Sequence, residues 1–301
     1  MRLATIATPS GLRLHVRGRS GYVDVAEGTG EASYASMTSF LEGGPAAMEA
    51  ARRLEDLDGR EYGPEQLGPA VPTPGRVLCL GLNYREHAIE GGRNVPTWPE
   101  SFLRGPATVI GPYADLVRPA LTQRFDYEGE LGVVIGQGGR YIPAEKALAA
   151  VAGYVVLNDA SARDWQRAGT QWTGGKNFDG TLPMGPELVT TEEVDVSDLE
   201  LTTRVNGEVM QSARTSQMIV SVPATIEFFS SFTRLCPGDV LATGTPGGVG
   251  FARQPPVWLE PGDVVEVSVE SVGTIRNRVV AEDGNGREWR WNPLATATGS
   301  L

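Results

Sequence analysis

Cysteine, histidine and lysine are all scarce in this chain, whose 301 residues carry two of each. The cysteines, Cys79 and Cys236, lie in the apolar stretches RVLCLGL and FTRLCPGD, with no metal-ligand Cys spacing. Two buried thiols are expected rather than a disulfide. No apolar run approaches the roughly 20 residues that a membrane-spanning helix needs. The N-terminal MRLATIATPS lacks a positive segment followed by an apolar stretch and a small-residue cleavage site, so the expected location is the cytoplasm. Positive charge is also short, 26 Lys and Arg against 37 Asp and Glu, a net charge of −11. That balance argues against nucleic acid and anionic membranes as partners. A small anionic ligand stays open, because a local cluster of Arg and Lys can override the global field. Arginine supplies nearly all the positive charge, so a lysine in an unusual setting, Lys146 or Lys176, invites a chemical explanation.

The composition is that of an ordinary globular protein with a sizeable core. Residues 1–70 read as a small β-rich N-terminal domain (LATIAT, LRLHV, YVDVAE) with a helix near Met48–Leu57. A Pro- and Gly-bearing linker, Tyr62–Gly75, leads into the main domain, with the division set at residues 70 and 71. Strands are expected in RVLCLGL and at Leu131–Ile135, Gly153–Leu157, Leu199–Val205, Val240–Thr243, Val264–Val269 and Thr274–Val280. Asn206-Gly207 is a hairpin signal, and helices fit Ala144–Val151 and Pro223–Phe232, the latter with Ser221 as N-cap. Strands dominate the second half without regular alternation with helices, which predicts a β-rich α+β fold.

Two acids introduce an apolar strand in Asp126-Tyr127-Glu128-Gly129-Glu130-Leu131. Residues two apart in a strand share a side, so Glu128 and Glu130 project together and repel unless a cation or a proton lies between them. They are either solvated acids at an exposed strand start or part of a cation site. In GYVVLNDASARDWQ another apolar strand delivers Asp159 at its end, as a helix cap or as a third acid. Three carboxylates without Cys or His describe a hard-oxygen site for Mg²⁺, Mn²⁺ or Ca²⁺. Of the histidines, His15 alternates with apolar residues and reads as structural. His87, in GLNYREHAIE, shares a helical face with Glu90, as a surface pair or as a general base oriented by a carboxylate.

Taken in order, GLNYREHAIE, DYEGELGVVIG, LNDASARDWQ, GGKNFDGTLPMGP, VNGEVMQSARTSQMI and PGDVLATGTPGGVG resemble the fumarylacetoacetate hydrolase family over most of residues 76–280. The resemblance implies a mixed β-sandwich roll, commonly homodimeric, with a magnesium-type cation on Glu128, Glu130 and Asp159. It implies a water-activating pair, His87 and Glu90, on a lid segment, with Lys176 at the developing oxyanion. Arg163, Gln166 and Thr245 match substrate-binding positions. Arg104 stands where many members have Lys in Phe-Leu-Lys, as a substrate contact or a structural ion pair; Asp126 would at best support the ligands from behind.

The activity so implied is hydrolysis of a carbon–carbon bond in an acylpyruvate-type 2-oxo acid. An isomerase, tautomerase or oxaloacetate-type decarboxylase is the alternative, since all proceed through a metal-bound enolate. A binding protein without turnover is a further reading. Gly91-Gly92 would hinge a mobile lid from Glu86 to Trp98, and Trp98 hints at a bulky substrate moiety.

Overall fold

The structure, a computed structural model, describes residues 1–283. Among these residues it is strand-rich α+β, organised around two open sheets. The larger sheet has ten strands. Its centre is the antiparallel pair Gly129–Ile135 and Val151–Asn158, both buried along their whole length. Leu182–Thr190 pairs with the second of these strands and Val240–Ala242 with the first. Val77–Gly81 runs parallel to Val240–Ala242, and Glu100–Arg104 closes that edge. The smaller sheet contains Glu200–Val205, Val264–Val269 and Gly273–Ala281, where burial alternates as expected when one face meets a core.

Period-two geometry explains the full burial of the central strands. Leu131, Val133 and Ile135 face the core between the sheets with Val205 and Val267. Val134 faces the opposite way, into a second core with Leu3, Met37 and Phe40. The second core is completed by the first 70 residues: Arg2–Thr8 pairs antiparallel with Leu182–Thr190 and carries two further strands outward.

The expected strands and the Asn206-Gly207 turn are present, with φ of 52° and 85° at the turn residues, except that YVDVAE is strand only over Tyr22–Asp24 and passes into the helix Val25–Thr29, capped by Asp24. Ser221 caps the helix Val222–Phe232. Three local expectations differ. Ala144–Ala150 is a 3₁₀ helix, whose inward residues Ala147 and Ala150 are three apart, the spacing of that helix. The N-terminal helix spans Gly44–Arg52, earlier than expected. Cys236 is exposed because it opens the turn Cys-Pro-Gly-Asp, held by Cys236 N–H donating to Asp239 Oδ2 at 2.8 Å; only Cys79 is buried. No helix among the described residues is long and apolar enough to cross a membrane.

Candidate active site

The central strand pair builds the acidic cluster. Its register sets Glu130 opposite Leu157 and Gly129 opposite Asn158, so Glu128 and Asp159 follow as the next pair. Asp159 N–H donates to the Glu128 carbonyl at 2.8 Å, and Asn158 Oδ1 accepts from Glu128 N–H at 3.0 Å. One carboxylate oxygen from each of Glu128, Glu130 and Asp159 lies within 4.8 Å of the others, and all three residues are buried. A third strand finishes the wall. Gly244, at φ 94°, donates its N–H to Glu130 Oε2 at 2.8 Å, and a Cβ there would meet the Asn83 Cβ at 2.7 Å. Asn83 itself bonds to the Thr243 and Val220 carbonyls and accepts from Val220 N–H, fixing the loop that leads to His87.

Three cations answer these acids. Lys176 Nζ donates to Glu128 Oε2 at 2.7 Å and to Asp159 Oδ2 at 2.6 Å. Arg163 holds Glu128 through NH1 at 2.5 Å and Asp126 through Nε at 2.8 Å, while its NH2 is buried without a partner. Arg104 pairs with Asp159 and donates to Thr181 Oγ1. Burial opposes charge on Glu128, but Lys176 and then Arg163 hold its carboxyl down at about 2. Burial likewise opposes charge on Lys176, which Asp159 and Glu128 nevertheless hold above its ordinary value. Glu130 has no cationic partner among the described residues; burial, then Asp159 and Glu128, push it well above the usual carboxylate range.

With Asp126, four buried carboxylates therefore meet three cations, and the surplus falls on Glu130, inside the cluster. Three hard-oxygen donors converging where negative charge is in excess fit a divalent cation of the Mg²⁺, Mn²⁺ or Ca²⁺ kind.

His87 and Glu90 lie on the helix Arg85–Glu90, with His87 Nδ1 and Glu90 Oε1 2.9 Å apart. Glu90 Oε2 accepts from Gly248 N–H at 2.8 Å, so the expected lid segment is seated against the Gly-rich loop with His87 in the cavity wall. That cavity, of about 600 Å³, is lined by His87, Glu128, Arg163, Gln166, Lys176 and Thr245, which brings together most of the residues singled out in the sequence. Arg104 is not in the lining. It lies fully buried behind Asp159, the position of a structural ion pair rather than of a substrate contact. Trp98 is also outside, 74 % exposed, with its ring edge-on to Phe228.

Asp126, expected at best to support the ligands from behind, has a larger part, and several further contributors went unread in the sequence. Asp126 accepts from Gly250 N–H at 2.8 Å and Phe251 N–H at 3.1 Å besides holding Arg163, so it ties the Gly-rich loop to the cationic floor. Gln211 accepts from Gly129 N–H and donates to Thr245 Oγ1 and the Pro246 carbonyl. The aromatic walls are Phe102, Trp172 and Phe251. Trp172 packs so closely on Gly81 that a Cβ there would come within 2.2 Å of the ring. Only for Asp126, beside the acidic motif, did the sequence carry a signal; the others follow from packing between distant segments.

This strand-paired acidic cluster, its cationic floor and the His–Glu pair belong to an enzyme of the fumarylacetoacetate hydrolase family. The family's model, described as fumarylacetoacetate (FAA) hydrolase C-terminal, matches residues 76–280. Among curated relatives, the mitochondrial oxaloacetate tautomerase FAHD2A of Bos taurus is 45 % identical over 253 residues, covering 81 % of this chain and 80 % of that protein. The human FAHD2A, likewise named a mitochondrial oxaloacetate tautomerase, has the same identity and coverage. Among solved structures, a Mycobacterium smegmatis protein provisionally named HpcE superposes with a TM-score of 0.88 at 38 % identity. A fumarylacetoacetate hydrolase from Exiguobacterium antarcticum gives 0.81 at 34 %, and a 5-carboxymethyl-2-hydroxymuconate delta-isomerase from M. smegmatis gives 0.74 at 34 %. Each match covers 94 % of this chain and 100 % of the other.

Proposed function

We propose that the protein is a tautomerase or isomerase of a small anionic 2-oxo acid, with one divalent cation, Mg²⁺ or Mn²⁺, on Glu128, Glu130 and Asp159. The observation that carries this reading is the 45 % identity to an oxaloacetate tautomerase across 81 % of the chain. It moves the tautomerase, second in the sequence reading, ahead of the hydrolase.

A cation bound there would draw electron density from the 2-oxo oxygen and so lower the cost of enolate formation. The side chains supply the rest. Lys176 and Arg163 keep Glu128 ionised and therefore ready as a ligand. Two of the three guanidinium nitrogens of Arg163 are committed to Asp126 and Glu128, which leaves NH2 to donate to a substrate oxygen. A donor fixed before the charge develops stabilises it without reorganisation. Gln166 accepts from Arg163 NH1 at 3.0 Å through its carbonyl, which leaves its amide NH2 as a second donor. His87 is the proton carrier. Glu90 holds Nδ1, so Nε2 takes the proton from the carbon beside the 2-oxo group or returns it.

Hydrolysis is the second reading, favoured by the same pair: an imidazole oriented by a carboxylate also activates water. The test uses the full chain with MgCl₂. Ketonisation of enol-oxaloacetate is followed by loss of enol absorbance, and products are identified by NMR. Accelerated ketonisation without fragments or CO₂ is expected. Faster cleavage of acylpyruvates into two acids would put hydrolysis first, and CO₂ release would make the protein a decarboxylase. Ligand-dependent stabilisation without turnover would make it a binding protein. The homodimer is part of the same proposal, and light scattering at twice the chain mass is its check.

A further inference from the structure

Glu90 meets the Gly-rich loop at Gly248, and two side chains outside the cavity lining hold that glycine in place. The Gly248 carbonyl accepts from the Tyr127 hydroxyl at 3.0 Å and from Arg253 Nε–H at 3.3 Å, while its N–H donates to Glu90 Oε2 at 2.8 Å. Arg253 also donates through NH2 to the Met210 carbonyl at 2.8 Å, which ties the loop to the strand Glu208–Arg214. Gly248 itself admits no side chain. Its φ is 102°, and a Cβ would come within 2.1 Å of the Met210 carbonyl oxygen. Tyr127 is fully buried, in the core between the sheets with Leu131 and Val267.

The chain order gives this contact its weight. Tyr127 immediately precedes Glu128, and Asp126 before it accepts from Gly250 N–H and Phe251 N–H. Three consecutive residues thus supply one carboxylate to the acidic cluster and two anchors to the loop that orients Glu90. A carboxylate only accepts hydrogen bonds, so the 2.9 Å contact of Glu90 Oε1 with His87 Nδ1 puts the proton on Nδ1 and leaves Nε2 without one. Should Gly248 shift, Glu90 loses the donor on its second oxygen and with it a fixed direction towards the imidazole.

We propose that Tyr127 is a positioning residue for the proton carrier: through Gly248 and Glu90 its hydroxyl fixes the tautomer and placement of the His87 ring, with Arg253 as the second support. The consequence for turnover rests on the reading of His87 given above, whereas the tautomer does not.

The test is long-range proton–nitrogen NMR of the two histidine rings of the full chain in mildly alkaline buffer, with His15→Gln identifying the His87 signals. The unaltered protein should show a protonated Nδ1 and a bare Nε2, and Glu90→Ala supplies the spectrum of an unheld ring. Tyr127→Phe, which removes one oxygen and leaves the ring packed, should move the His87 nitrogens towards that reference. Arg253→Gln should move them the same way, and the double variant further. With Mg²⁺ and enol-oxaloacetate, Tyr127→Phe should lower kcat by about five- to tenfold, the scale of one neutral hydrogen bond, and change KM by less than about twofold. Val269→Ala, which opens a cavity in the same core, should lower the melting temperature without moving the His87 signals. A bare Nδ1 in the unaltered protein, a His87 spectrum untouched by Tyr127→Phe and Arg253→Gln, or an equal displacement in Val269→Ala would overturn the inference. A loss confined to KM would overturn it too. If the spectra move as expected and the unaltered protein turns over no 2-oxo acid, the functional reading falls and the positioning role stands.

Discussion

Glu130→Gln separates a metal ligand from a structural acid, because the two roles predict opposite signs for stability. Glu130 is buried, accepts one backbone hydrogen bond from Gly244, and faces Glu128 and Asp159 with oxygens no more than 4.8 Å apart. At an effective dielectric constant near 20, two unit charges at that separation would repel by about 3.5 kcal/mol, a repulsion that, with burial, pushes the Glu130 carboxyl well above the usual range and favours its neutral form when no metal is bound. A glutamine keeps the carbonyl that Gly244 N–H needs and resembles the neutral acid, but cannot become the charged ligand that a cation needs. Without metal, the variant should therefore melt no lower than the unaltered protein, although such a change at a buried residue usually destabilises. With metal the order reverses. A cation at a hundred times its Kd adds about 2.7 kcal/mol to a protein that binds it only when folded, a rise in Tm of about 5–10 °C. The unaltered protein should show this shift and Glu130→Gln should lose it. Differential scanning fluorimetry in EDTA and in a MgCl₂ series reads both quantities. A variant that still shifts with Mg²⁺, or melts well below the unaltered protein in EDTA, would refute the assignment of Glu130.

His87→Ala should lower turnover by about 10²–10⁴-fold, the usual contribution of general acid–base help, while the Mg²⁺-induced rise in Tm persists; steady-state kinetics and fluorimetry on one preparation check both. Asp126→Asn should cost about 1–3 kcal/mol in urea unfolding, because it leaves the buried Arg163 guanidinium with Glu128 as its one remaining carboxylate and turns an amide NH2 against either the Gly250 or the Phe251 N–H. His15 gives the pH dependence: burial, outweighing its bond to the Arg13 carbonyl, lowers its pKa from 6.5. The unfolded chain thus binds the proton more readily, so His15 contributes stability above pH 6.5 that is lost as pH falls towards the depressed value. Urea midpoints across that window should show a smaller fall in His15→Gln than in the unaltered protein, and equal falls would exclude His15 as the source.

The strands were legible because their apolar runs are continuous and bounded by turn residues, and Asn206-Gly207 announced its hairpin directly. The acidic cluster was legible for a local reason, since Glu128 and Glu130 precede one buried strand and Asp159 ends another. The partner of the N-terminal strand was not. Arg2–Thr8 pairs with Leu182–Thr190, and nothing in either segment names the other. Arg104 shows the limit of reading by position: the motif placed it near the site, but only the antiparallel pairing of Glu100–Arg104 with Val77–Gly81 turns its guanidinium onto Asp159 from behind. Trp98 was noticed because it follows the His–Glu segment, whereas Trp172 reaches the cavity by crossing Gly81, a contact between residues about ninety positions apart.

The alternation of Glu130, Gly132 and Val134 with Leu131, Val133 and Ile135 has a consequence for assembly of the chain. Side chains on a strand change face with every one-residue slip. Shifted by one against its neighbours, Gly129–Ile135 would send the Glu130 carboxylate towards the apolar space between the sheets, among Val205 and Val267, with no donor to meet it. An unpaired carboxylate there costs several kcal/mol, so the misaligned sheet is driven apart as firmly as the correct one is held together. The acids that equip the site for a cation thereby serve as alignment marks for a sheet whose valines and leucines, apolar on both faces, would otherwise accept more than one registration.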